Sequence, residues 1–224
     1  MGSAQSLRVV VLLSGTGTNL QALIDQFTTA DSPVELVAVL SNKQGAGGLA
    51  RAEQAHIATD VVDHRQYDSR EAFDRAMMAR IDAYRPDLIV LAGFMRILTA
   101  EFVQHYQGRL INIHPSLLPR HRGLNTHQKA LEAGDCEHGA TVHFVTEELD
   151  GGPAIVQARI PVTAEDTPES LARRVLTYEH RIYPATVRWF AKGRLTWRNG
   201  APYMDDKPLT EPLDYGAEQD RASR

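Results

Sequence analysis

Short apolar runs that barely alternate, each followed by an amphipathic stretch, constrain this chain more than any other feature. Val9-Val10-Val11-Leu12-Leu13 and Leu88-Ile89-Val90-Leu91 contain no polar residue on either face. A strand of that kind must be covered on both sides, as central parallel strands between helical layers are. Strand and helix patterns then repeat in order. Arg8 to Ser14 precedes Asn19 to Phe27, Val34 to Ser41 precedes Gly48 to Ala55, and Ala58 to Val62 precedes Arg70 to Tyr84. Asp87 to Ala92 precedes a short helix from Thr99 to Tyr106, and Arg109 to His114 closes the series. The first half therefore reads as a doubly wound α/β unit, a mostly parallel sheet flanked by helices. Beyond a looped region, the pattern predicts a helix at Thr126 to Ala133 and an antiparallel pair, Thr141 to Val145 with Ala154 to Pro161. A long helix from Pro168 to Phe190 follows, kinked at Pro184, and then a small hairpin through Asn199-Gly200. Charge and proline content predict a loose tail from Asp205 to the end.

In open α/β sheets, ligands bind at the carboxyl ends of the strands, and the polar motifs of this chain fall there. Residues two apart in a strand face the same way, so Asn112 and His114 converge while Ile113 faces the packed side. An amide donor beside an imidazole suits a developing oxyanion; the alternative is a polar strand terminus. The first strand runs into Ser14-Gly15-Thr16-Gly17-Thr18-Asn19, where backbone N–H groups at a helix start, with Thr18 and Asn19, form a phosphate cradle. Leu20 stands where a dinucleotide fingerprint needs glycine, and the P-loop lysine is missing. A turn that serves only packing is the competing reading. After the fourth strand, Phe94, Met95, Ile97 and Leu98 offer an apolar slot and Arg96 a partner for a carboxylate, unless the segment is a core turn with a solvated arginine. Asp150-Gly151-Gly152 is either an ordinary hairpin turn or a carboxylate brought to His114, where it would favour the charged imidazole.

Charge and cysteine content narrow the partners. The net charge is −4 and no block of Lys and Arg with interleaved aromatics occurs, so small molecules are expected rather than nucleic acid. No stretch approaches the ~20 apolar residues that span a bilayer, so no membrane insertion is expected. Met1-Gly2-Ser3-Ala4-Gln5-Ser6 fits an acylation pattern but lacks a second anchor. Cys136, the single cysteine, excludes an internal disulfide and fits a reducing, cytoplasmic location. His138 and His143 are five apart, an odd spacing that argues against a shared metal.

Five motifs in order, Ser14 to Leu20, Ser41-Asn42-Lys43, Gly93 to Leu98, Asn112 to Pro119 and Leu149 to Pro153, resemble the folate-dependent phosphoribosylglycinamide formyltransferase family. The resemblance spans residues 8 to 204 and implies a single domain over 1–204, followed by the tail at 205–224. Its Rossmann-like nucleotide half ends near residue 110, and a catalytic and folate half covers about 111–204. It implies formyl transfer from 10-formyltetrahydrofolate, as co-substrate, to the amine of glycinamide ribonucleotide, with no metal. Asn112 and His114 would stabilise the oxyanion, and Asp150 would favour the protonated imidazole and pass a proton through water. Gly17, Thr18, Asn19 and Glu179 would bind the ribonucleotide; Glu179 is otherwise a solvated helix position. Phe94, Met95, Arg96, Ile97, Leu98 and Asn112 would hold the folate, with Arg70 toward its glutamate tail. The resemblance also implies a cis peptide at Leu118-Pro119 and a homodimer. Asn125 departs from the family's usual histidine, and Thr18 from a commoner serine. A formyl folate hydrolase and a tRNA-directed formyltransferase share the core but carry extra domains, for which the short flanks are expected to leave no room. A noncatalytic nucleotide- or folate-binding protein is the reading from another class.

Overall fold

The computed structural model describes residues 6–216. Residues 1–5, with most of the acylation pattern, and the last residues of the expected tail lie outside the described residues. The elements in order are β1 (Leu7–Leu13), α1 (Thr18–Phe27), β2 (Val34–Ser41), α2 (Gly47–Gln54), β3 (Ala58–Val61), α3 (Arg70–Ala83), β4 (Leu88–Leu91) and α4 (Ala100–His105). They continue with β5 (Leu110–His114), α5 (Thr126–Glu132), β6 (Glu137–Phe144), β7 (Ala154–Pro161), α6 (Pro168–Ala191), β8 (Leu195–Arg198), β9 (Ala201–Met204), β10 (Lys207–Pro208) and β11 (Leu213–Asp214).

One sheet has the order β11-β7-β6-β5-β4-β1-β2-β3, and a smaller one the order β10-β9-β8. Strands β1 to β5 are mutually parallel, while β6 runs antiparallel to both β5 and β7. The unbroken apolar runs explain this arrangement. Val9, Val11 and Leu13 enter the core beneath α1 and α6, whereas Val10 and Leu12 enter a second core with Phe73, Met77 and Ile81 of α3. Alternate residues of one strand thus fill opposite layers, and neither face can be polar. The chain crosses to opposite sides of β1, toward β2 in one direction and β4 in the other. That switch opens a crevice at the carboxyl ends of β1 and β4.

Helix α6 begins with a capping box between Thr167 and Ser170 and continues as one helix of 24 residues through Pro184. Next to that proline, the Tyr183 hydroxyl sits between the carbonyls of Leu91 (2.7 Å) and Ile111 (3.2 Å), bolting α6 to β4 and β5. The Asn199-Gly200 hairpin forms as expected, with both residues at positive φ (52° and 78°).

Two differences from the sequence reading have physical causes. Strand β6 starts at Glu137 rather than Thr141, because Gly139 lets the backbones close up: a Cβ there would lie 1.9 Å from the Ala158 carbonyl. The tail is partly built into the fold, since β10 extends the small sheet and β11 pairs parallel with β7. Main-chain pairing needs no apolar run, and Leu209, Leu213 and Tyr215 supply enough apolar contact with the main core.

Candidate active site

Antiparallel register places His143 of β6 directly opposite Asn112 of β5, and Thr141 opposite His114. Ile113, between the two polar residues, lies in the core. His143 donates from Nδ1 to the Phe144 carbonyl at 2.9 Å, which leaves Nε2 bare in the neutral ring. Burial pushes the His143 pKa down to about 4, so that neutral form is the one present near neutral pH. Nε2 then accepts one N–H of the Asn112 amide at 3.2 Å, and this fixes the amide's orientation. The second N–H has no acceptor in the protein among the described residues and is free to enter the adjoining cleft, which Asn112 lines.

Asp150 completes the group from the turn between β6 and β7. It sits at φ 48°, a left-handed conformation that Asp tolerates, and the next turn residues must be small. A Cβ on Gly152 would stand 1.8 Å from the Phe144 carbonyl. Asp150 Oδ2 lies 3.5 Å from His114 Nδ1 and accepts the Gly123 backbone N–H at 2.9 Å. Its Oδ1 lies 3.9 Å from His143 Nε2. The far side of the His114 ring donates from Nε2 to the His121 carbonyl at 3.0 Å. His114 is thus buried with both nitrogens facing oxygen atoms, in a strap that begins with the cis Leu118-Pro119 peptide. Arg122 and Glu148 pair between this strap and the Asp150 turn.

The cleft beside Asn112, His143 and Asp150 has apolar walls from Leu91, Phe94, Leu98, Val103 and Val145. Its segment after β4 is held by Ser14, whose Oγ accepts the Met95 N–H at 2.8 Å and donates to Asn42 Oδ1 at 2.5 Å. Arg96 and Ile97 line the same cleft, Ile97 largely exposed at its rim. Met95 and Arg70 do not line it; Met95 points outward at 65% exposure, and Arg70 is an exposed residue starting α3. Arg70 and Arg96 both act on the buried Asp74 carboxyl, whose pKa burial nevertheless raises. The Arg96 Nε is buried without a hydrogen-bond partner among the described residues.

At the end of β1, Gly17 caps α1 with φ 73° and no side-chain bond, leaving the first helical N–H groups uncommitted to a cap. A Cβ at Gly17 would come 2.6 Å from Gly48 Cα, so this turn admits only glycine. Asn19 Nδ2 donates to Glu179 Oε2 at 2.7 Å, joining residues 160 positions apart, while Asn19 Oδ1 is buried with no hydrogen-bond partner among the described residues. Glu179 is therefore no solvated helix position; it is buried against the phosphate-type turn, and burial raises its pKa despite the Asn19 bond.

Behind the strap, His127 Nδ1 and His138 Nε2 lie 3.1 Å apart, and burial pushes His138 down to about 4 from 6.5. Between those two values the unfolded chain binds protons that the native ring refuses. Stability falls as pH drops through that window, by up to about 3 kcal/mol for one such ring. His138→Gln is expected to lose less stability than the parent between about pH 7 and about pH 5, measured by urea unfolding. Equal losses would show that other groups carry the acid sensitivity.

Sequence reasoning passed over His143, treated only as a metal question, because the register that sets it against Asn112 has no local signature. It also passed over the His121 carbonyl and the Val103 and Val145 walls. The position of Val145 at the end of the expected strand Thr141 to Val145 was the one available signal.

Residues 7–187 match the formyl transferase family model. Phosphoribosylglycinamide formyltransferase of Escherichia coli (strain K12) is 54% identical over 213 residues, covering 95% of this chain and 100% of the relative. The trifunctional purine biosynthetic protein adenosine-3 of Gallus gallus is 50% identical over 84% of this chain, which matches 19% of that longer protein. Among solved structures, phosphoribosylglycinamide formyltransferase from Coxiella burnetii superposes with a TM-score of 0.88 at 51% identity, covering 93% of this chain and 100% of that one.

Proposed function

Since this chain belongs to the formyl transferase family, and within it to the phosphoribosylglycinamide formyltransferases of purine biosynthesis, we propose that it carries formyl from 10-formyltetrahydrofolate to the amine of glycinamide ribonucleotide. The observation that carries this reading is that Asp150, beside His114, and Asn112 line one cleft, at the same ends of the strands as an uncapped glycine turn. The cleft fits a flat bicyclic ring that carries hydrogen-bonding edges: Leu91, Phe94, Leu98, Val103 and Val145 offer apolar surface, and Asn112, His143 and Asp150 offer polar groups. The Gly17 turn fits a phosphate, and buried Glu179 fits ribose hydroxyls or the substrate amine.

Asn112 directs its free N–H at the carbonyl oxygen as negative charge develops there, and the His114 ring, protonated on both nitrogens, supplies a second donor from Nδ1. Asp150, beside that nitrogen, takes up the proton lost by the attacking amine and relays it through water toward the leaving nitrogen. The residues do this by position and charge, with small-molecule substrates and in the cytoplasm.

Incubating the protein with glycinamide ribonucleotide and the formyl folate tests the reading. Formyl loss that requires the ribonucleotide is expected. Loss without it would assign hydrolysis, and binding without loss would make the chain a carrier. Glu179 gives a further expectation. Its raised pKa means that its contribution to stability is present while it is protonated and declines as pH rises from 4.5 through the folded value. Glu179→Gln should therefore raise the unfolding midpoint at neutral pH while raising KM for the ribonucleotide about tenfold. An unchanged KM would remove Glu179 from the binding site.

A further inference from the structure

His121 is a non-glycine residue at φ 53° in a strap that is also left-handed at Gly123 (φ 76°) and Asn125 (φ 59°). Left-handed backbone is strained for a non-glycine residue and persists where contacts outside the backbone hold it. The ring does. His121 Nε2 donates to Asp135 Oδ2 at 2.6 Å, with both side chains mostly buried. Asp135 is itself anchored, since its backbone N–H bonds the Ala130 carbonyl at the end of α5 (3.1 Å). This tether fixes the peptide whose carbonyl accepts His114 Nε2–H at 3.0 Å. The preceding carbonyl, of Arg120, is held separately by Ser116 Oγ at 2.6 Å.

A carbonyl only accepts, so as long as it stays in place the proton on His114 Nε2 is committed. Gain and loss of a proton are then left to Nδ1, the nitrogen 3.5 Å from Asp150 Oδ2. We propose that His121 is a positioning residue. Its ring, tied to Asp135, keeps its carbonyl on His114 Nε2 and confines the exchangeable proton of His114 to the nitrogen facing Asp150. This inference rests on the proposed formyl transfer and adds to it a residue that acts through His114.

The test combines kinetics with long-range proton–nitrogen spectra of the His114 ring at alkaline pH, on the full chain. In the parent protein the neutral ring should carry its proton on Nε2. In His121→Phe and Asp135→Ala a substantial share should move to Nδ1, with kcat lower by about tenfold and both KM values within about twofold. His121→Gln, which keeps a donor for Asp135, should restore the Nε2–H form and most of kcat; it also serves if the other variants do not fold. An unchanged tautomer in the tether-breaking variants, or a changed tautomer with unchanged kcat, would overturn the proposal. Absence of formyl transfer in the parent would instead overturn the functional reading, because the spectra report on the tether without any turnover.

Discussion

Asn112→Ala is expected to lower kcat by about a hundredfold or more, the usual cost of deleting one oxyanion donor, with KM for both substrates little changed. The reason lies in how the amide is held. One N–H is spent on His143 Nε2, so the other is aimed before substrate arrives and needs no rearrangement as charge develops. Alanine removes the donor and leaves no charge behind. The fold should tolerate the change, because among the described residues the side-chain bond lost is the one to His143, at about 1 kcal/mol. Comparing kcat with the urea midpoint separates the two effects. A variant with near-normal turnover would remove Asn112 from the reaction, and one that unfolds would leave His143→Phe, which frees the amide to rotate, as the second probe.

Asp150→Asn is expected to reduce kcat by roughly a hundredfold to ten-thousandfold, the range for a group that moves protons in the transition state. This substitution isolates charge from shape. Asparagine also accepts left-handed backbone at φ 48°, and its carbonyl oxygen can still receive the Gly123 N–H. What disappears is the carboxylate 3.5 Å from His114 Nδ1. Asp150→Ala would confuse the issue by straining the turn as well. If Asp150→Asn turns over within a few-fold of the parent, proton transfer runs through another group and the proposed chemistry fails at that step.

The layers of the fold were readable in the chain because burial on both faces leaves a mark on every residue of a central strand, as in Val9 to Leu13 and Leu88 to Leu91. Where structure depends on backbone approach rather than apolar side chains, that mark is absent. The first turn of β6 around Gly139 and the edge strand β11 are cases of this kind. The candidate site divides in the same way. Asn112 and His114 could be seen to share a face from their spacing alone, and the Gly17 turn from its glycines. The burial of Glu179 against Asn19 could not, because a helix position is polar in sequence whether it meets water or a partner 160 residues away.

The strand and helix order, the two-faced burial of the sheet and the polar motifs at strand ends were all legible in the chain, since these follow from local periodicity and turn chemistry. That His143 orients Asn112, that Asp135 tethers His121 and that Asp150 comes within reach of His114 emerged with the folded chain. Such contacts are set by strand register and by packing between distant segments. The same residues in a register shifted by one would face the opposite side of the sheet.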